Sequence, residues 1–233
     1  MNVSRTQILD YASQHGIVNA AILISAYGMK PTTARQYLSS LSREDVLVRV
    51  GQGEYAFSQK QMFLYSPSEK VKCIYEGLKS ELPFTDFCVY EGGIIRSIQH
   101  NLSINNAIYV ETNRDAVDSV FSCLKGKHKN IFKMPDATFV ADYIDLREQC
   151  IIVKTLITES PLMTVENIRV PTLEKLLVDI QKDADFDYLR GSESQYMFQM
   201  AFELYNINIR RLLRYAKRRG ISVKVEELIN QAK

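Results

Sequence analysis

The sequence feature that most constrains this chain is a glycine-framed loop. Gly51-Gln52-Gly53 separates two short runs rich in β-forming residues, 46–50 and 54–57. Two such runs around a short glycine loop close into a hairpin. Three helical patterns precede it. Ser4 followed by Gln7 fits a capping box, Ile8, Tyr11 and Ala12 share one helix face, and Gly16 is the stop signal. A second helix starts near Asn19, carries Ala20, Leu23, Ile24 and Tyr27 at helical spacing, and stops at Gly28. Pro31 then occupies the first turn of a third helix, where proline costs least, and Ala34, Tyr37, Leu38 and Leu41 form its apolar stripe. Three short helices and a hairpin outline a winged helix-turn-helix over residues 1–60.

If that stripe faces the core, helical geometry turns Thr32, Thr33, Arg35, Gln36 and Ser39 outward, with Ser40 and Arg43 beyond them. Lys30 precedes the helix, and no acidic residue interrupts the face before Glu44. Arginine and glutamine can read base edges in a major groove, while lysine, threonine and serine hold phosphates. The N-terminal part of such a helix enters the groove. Thr32, Thr33, Arg35 and Gln36 are therefore the expected base readers. Lys30 and Ser39 are expected at the backbone, and so are Arg49 and Gln52 on the hairpin. The alternatives are a solvated polar face and a protein–protein adaptor that never meets DNA.

Residues 61–233 change character twice. Ser66-Pro67-Ser68-Glu69 reads as a capping box that opens a helix striped by Val71, Ile74, Tyr75 and Leu78. Strands are expected at 87–90, 107–111, 130–132 and 150–153, with a weaker one at 138–142. A short helix should run through Ile98 and a longer one should carry Val117, Val120, Phe121 and Leu124. After Pro171 every pattern is helical. The expected class is α+β with an α/β-like alternation: an N-terminal winged helix-turn-helix, then a mixed α/β domain ending in a helical bundle.

Bulk charge lends the DNA reading no help. The formal net charge is +2, so any basic surface must be local. One such concentration exists. Arg210, Arg211 and Arg214 are followed closely by Lys217, Arg218 and Arg219. They are expected as a positive ridge facing an acidic partner or nucleic acid.

Enzyme signatures do not emerge. His15, His100 and His128 show no metal-ligand spacing, and Cys73, Cys88, Cys123 and Cys150 form no Cys-x-x-Cys pair. No metal, cofactor or catalytic residue is expected. Asp183, Asp185 and Asp187 offer a carboxylate cluster for magnesium, the basis of a nucleotidyltransferase-like alternative. No apolar run reaches the roughly 18 residues of a membrane span. The first ten residues lack a signal-peptide core, so the expected compartment is the cytoplasm.

Several stretches together resemble a known family. They include Pro31-Thr32-Thr33-Ala34-Arg35-Gln36-Tyr37-Leu38 and Gly53-Glu54-Tyr55-Ala56-Phe57. Further on come Ile157-Thr158-Glu159-Ser160-Pro161-Leu162 and Val170-Pro171-Thr172-Leu173-Glu174-Lys175-Leu176-Leu177-Val178-Asp179. Tyr205-Asn206-Ile207-Asn208 then leads into Arg211-Leu212-Leu213-Arg214-Tyr215-Ala216. Their order resembles the AbiE-type antitoxins of bacterial abortive-infection, type IV toxin–antitoxin systems. The resemblance implies a bacterial transcription regulator whose N-terminal winged helix binds operator DNA and represses its own operon. It also implies a non-catalytic C-terminal domain that counteracts a nucleotidyltransferase-like toxin.

Overall fold

A computed structural model of the protein describes residues 5–44, 46–57 and 60–232. The chain is mixed α+β and divides into two compact units. The first comprises residues 1–62 and 204–208, the second residues 63–203 and 209–233. No helix among the described residues is long and apolar enough to cross a membrane.

The first unit runs α1 (Arg5–His15), β1 (Ile17–Asn19), α2 (Ala20–Tyr27), α3 (Pro31–Arg43), β2 (Leu47–Gly51) and β3 (Glu54–Phe57). Ser4, the expected cap of α1, lies outside the described residues. The strands form an antiparallel sheet in the order β1-β3-β2. β1 is a strand that periodicity did not announce, because three residues are too few to show a pattern. Its last residue, Asn19, caps α2 by accepting a bond from the Ile22 N–H at 2.9 Å. At the other end Gly28 adopts φ 64° and donates its N–H to the Ile24 carbonyl, closing the helix. Ile8, Ala12, Leu23, Ala34, Leu38 and Leu47 meet in one buried core. Tyr37 does not join them. It is 37% exposed, so the buried stripe of α3 is narrower than its spacing implied.

Residues 204–208 belong to this unit although they arrive from the far end of the chain. The Gln61 N–H donates to the Leu204 carbonyl at 2.9 Å, and the Asn206 N–H donates to the Gln61 carbonyl at 3.0 Å. Asn208 donates its side-chain N–H to the Arg43 carbonyl, the exposed end of α3.

The second unit is built on a four-stranded sheet. Its first elements are α4 (Glu69–Glu81), β4 (Phe87–Glu91), a 3-10 turn (Gly92–Ile98), β5 (Ile108–Thr112) and α5 (Val117–Lys125). β6 (Ile131–Lys133), α6 (Ala137–Tyr143) and β7 (Ile151–Thr155) complete it. The order is β4-β5-β7-β6, with β4 antiparallel to β5 and the other pairs parallel. A hairpin of β8 (Leu162–Val165) and β9 (Ile168–Pro171) follows, then α7 (Leu173–Ile180), a 3-10 segment (Ala184–Leu189), α8 (Ser192–Leu204), α9 (Ile209–Arg218) and α10 (Ser222–Ala232). The hairpin turn is Glu166-Asn167, both at positive φ, the geometry that matches strand twist across a two-residue loop.

Two local expectations are corrected. The helix after Pro67 starts at Glu69, and its cap is Ser68, whose hydroxyl accepts from the Val71 N–H; Pro67 stands before the cap rather than inside the helix. Residues 138–142 are helical. Asp136 caps α6 by accepting from the Phe139 N–H at 2.8 Å, and that local bond overrides the β-forming tendency of Thr138, Phe139 and Val140.

The sheet is covered on both faces, which explains why β5 is buried at every position. One face sends Val89, Ile108, Val110, Ile151 and Val153 into a core with α4, α5 and β9. The alternate residues point the other way. Among them Tyr90 stacks on Tyr109 at 5.1 Å, and Tyr109 packs on Phe186 at 5.4 Å. α7 packs on α9, and α9 on α10.

Gly92, where the chain leaves β4, has a packing reason. A Cβ there would lie 2.2 Å from the Asn105 side chain. Asn105 is itself buried and donates to the hydroxyls of Tyr109 and Tyr188. Gly92→Ala must displace it and should cost about 1–3 kcal/mol, the usual range for overpacking. Urea unfolding measures this; a midpoint equal to that of the parent would contradict it.

Candidate functional site

Three groups of side chains bear on function. The first is the outward face of α3. Lys30, Thr32, Arg35 and Gln36 are exposed, while Thr33 and Ser39 are half-buried. Arg49 and Gln52 on the β2–β3 hairpin are exposed as well. Arg49 donates its Nε–H to the Gly51 carbonyl at 3.1 Å, which fixes the guanidinium beside the loop. The nearest carboxylate along α3 is Glu44. It is engaged by Arg5 at 2.5 Å and by the Ser40 hydroxyl at 3.0 Å, so its charge is partly compensated.

The second group is the basic segment of α9, and the structure splits the expected ridge. Arg210, Arg214, Lys217 and Arg218 are exposed, and Arg218 donates its Nε–H to Thr158 Oγ1 at 2.7 Å. Arg219 is a correction. Its side chain is 10% exposed and pairs with Asp179 and Asp183. Arg211 is half-buried and lies 3.5 Å from the buried Glu174. Helical rotation carries these two to the inner side of the ridge, where acids of α7 and the following loop wait. Sequence spacing alone shows the basic residues but not their partners.

The third group was not expected. Glu111 on β5 and Lys154 on β7 are direct register neighbours in the parallel pair, each near the C-terminal end of its strand. Both point toward the α7 side. Lys175 of α7, 1% exposed, donates to Glu111 at 2.8 Å and to Asp179 at 2.6 Å. Tyr90 donates its hydroxyl to Glu111 at 2.7 Å, and Tyr215 donates to Asp179 at 2.9 Å. Lys154 reaches Asp183 and Asp185, both at 2.7 Å. Glu111, Lys154, Lys175, Asp183 and Asp185 line a cavity of about 290 Å³, with Met134, Asp136 and Lys182 at its other walls.

Asp183, Asp185 and Asp187 therefore do not form a joint carboxylate site. Lys154 and Arg219 occupy the first two, and Asp187 pairs with Arg190. No group of histidine, cysteine and carboxylate side chains among the described residues could hold a metal ion.

Burial and pairing compete in this network. Burial opposes the ammonium charge of Lys154, but Asp183 and Asp185 outweigh it and raise the pKa above its ordinary value. Lys175 is raised in the same way, with Asp179 and Glu111 overcoming burial. For Asp179 burial prevails over Lys175, and the carboxyl rises from 3.8 to about 6. For Asp183 the balance is reversed: Lys154 and Arg219 overcome burial and lower it to about 2.

A pH dependence follows. The folded pKa of Asp179 is raised, so its contribution to stability is full below 3.8 and is lost as pH rises through about 6. The folded pKa of Asp183 is depressed, so its contribution is present above 3.8 and lost as pH falls through about 2. The network stabilises the fold most near about pH 4. Thermal melting should show Asp179→Asn losing most of the fall in Tm that the parent undergoes between about pH 4 and 6. Parallel pH profiles for the two proteins would contradict the assignment.

Residues 33–233 match the model of a family described as a family of unknown function (DUF6577); the match takes in the second unit and, of the first, the part from the first turn of α3 onward. No curated protein matches the chain. The chain belongs to the DUF6577 family.

Proposed function

We propose that this member of the DUF6577 family is a DNA-binding transcription regulator of antitoxin type. The observation that carries the reading is the outward face of α3. It presents Lys30, Thr32, Arg35 and Gln36 to solvent with no acid among them, beside a hairpin that exposes Arg49 and Gln52. The order of helices and hairpin in the first unit agrees with a winged helix-turn-helix, in which such a helix enters the major groove and the hairpin flanks it. Arg35 and Gln36 read bases. Lys30 and Arg49 hold phosphates. DNA binding then serves regulation of the protein's own operon.

The second unit supplies the partner-binding half. Arg210, Arg214, Lys217 and Arg218 remain exposed on α9 and suit an acidic surface. By the antitoxin resemblance, that partner is a nucleotidyltransferase-like toxin, met in the bacterial cytoplasm. The pairing of Asp183 and Asp185 with cations supports a structural role for these carboxylates over magnesium chemistry.

The test is fluorescence anisotropy of the full chain with a duplex spanning its own promoter, over a series of salt concentrations. Phosphate contacts give a steep linear fall of log affinity with log salt. Arg35→Ala and Gln36→Ala should each cost about 1–3 kcal/mol on the promoter and narrow its advantage over random duplex. Lys30→Ala should weaken both duplexes alike and reduce the salt slope by about one. Absence of salt-dependent binding to either duplex would replace this reading with an adaptor that does not use DNA.

A further inference from the structure

The sheet of the second unit has two ends, and only the C-terminal ends of its parallel strands carry the buried charges. The opposite end holds a larger cavity of about 460 Å³. Its floor is apolar. Ile108 and Ile151 open β5 and β7, Cys150 precedes β7, and Ile74 of α4 closes the side. These four are core residues, each at least nine-tenths buried, and the cavity meets the small part of their surface that core packing leaves uncovered. Small-molecule sites commonly have volumes of ~300–1,000 Å³ with apolar walls and a few polar groups.

The rim is cationic. Lys70 and Lys129 stand at the mouth, with the His128 ring beside them and one acid, Glu69. That carboxylate is already engaged by Lys72 at 3.0 Å. Lys70 donates to the neutral Gln149 side chain at 3.1 Å and keeps its charge uncompensated by any acid there. Apolar walls and a positive mouth select an elongated apolar molecule with one negative end.

We propose that this cavity binds a small amphipathic anion, an apolar chain or ring bearing a single carboxylate, with the apolar body on Ile74, Ile108, Cys150 and Ile151 and the carboxylate at Lys70 and Lys129. The site is separate from the α3 face and does not depend on DNA binding. A regulator with such a site would respond to a metabolite of that class.

Cys73 lines the same cavity and is exposed, which supplies a local reporter. Cys123, partly exposed and outside the cavity, supplies an internal control. The full-length protein is alkylated with N-ethylmaleimide, with and without decanoate below its micellar concentration, and each cysteine is quantified by mass spectrometry. Decanoate should slow modification of Cys73 and leave Cys123 unchanged. Decanol should protect less. Lys70→Glu with Lys129→Glu, both on the surface, should weaken decanoate protection roughly fivefold and leave that by decanol unaltered. Equal modification of Cys73 at every decanoate concentration would overturn the proposal. So would equal slowing of both cysteines, which signals nonspecific association. Protection by decanol equal to that by decanoate would overturn the anionic half of the assignment.

Discussion

The contact on which the second unit depends is the pair of bonds made by the Lys175 ammonium. One runs to Glu111 in the centre of the sheet, the other to Asp179 one turn along its own helix. Together they tie α7 to β5. Asp179 extends the tie through Tyr215 to α9, and through Arg219 to the segment after α9. A buried ammonium or carboxylate is costly unless paired and hydrogen-bonded. Here each charge meets an opposite charge, and each carboxylate also accepts from a tyrosine hydroxyl. An apolar core could stabilise the same contact by area alone. It would not demand one register, whereas a buried lysine must meet its carboxylates.

The placement of those charges follows from strand geometry. Side chains alternate across a strand, so Tyr109 and Glu111 share a face, as do Ile152 and Lys154. Parallel pairing sets Glu111 beside Lys154. Because both lie near the strands' C-terminal ends, they open onto the region where α/β sheets gather their ligands. In this chain the cations and acids there are largely spent on one another. The free apolar volume lies at the other end of the sheet, below Ile108 and Ile151. One sheet therefore carries a paired polar network at one end of its strands and an apolar-floored cavity at the other.

The first unit works by subtraction. α3 buries Ala34, Leu38 and Leu41, and what remains outward is basic, hydroxylic or amide. Glu44, which follows its last turn, is held by Arg5 and Ser40. A nearly neutral protein thus exposes one run of basic and polar side chains on α3 and a second on α9.

Periodicity and stop signals by themselves determined the elements of this protein. The helix stripes of α1 to α3, the glycine-framed hairpin, the strands around Val89, Val110 and Val153, and the all-helical end were legible because each is a local pattern with a local cause. The outward face of α3 was legible for the same reason, since a helix of known buried residues fixes its opposite side. Short or locally capped elements were not. β1 has three residues, and α6 owes its helix to Asp136 against the preference of its own side chains. What only the tertiary structure decided was pairing. Arg219 reads as one more residue of a basic ridge until α9 packs on α7 and turns it onto Asp179 and Asp183. Asp183 and Asp185 read as a metal pair until β7 delivers Lys154. Lys175 carries no signal of burial in its spacing, and only the sheet supplies Glu111 to it. The identity of a charged side chain is written in the sequence, but its environment is set by partners tens of residues away, and Coulomb and desolvation energies depend on the distances and the burial that those partners create.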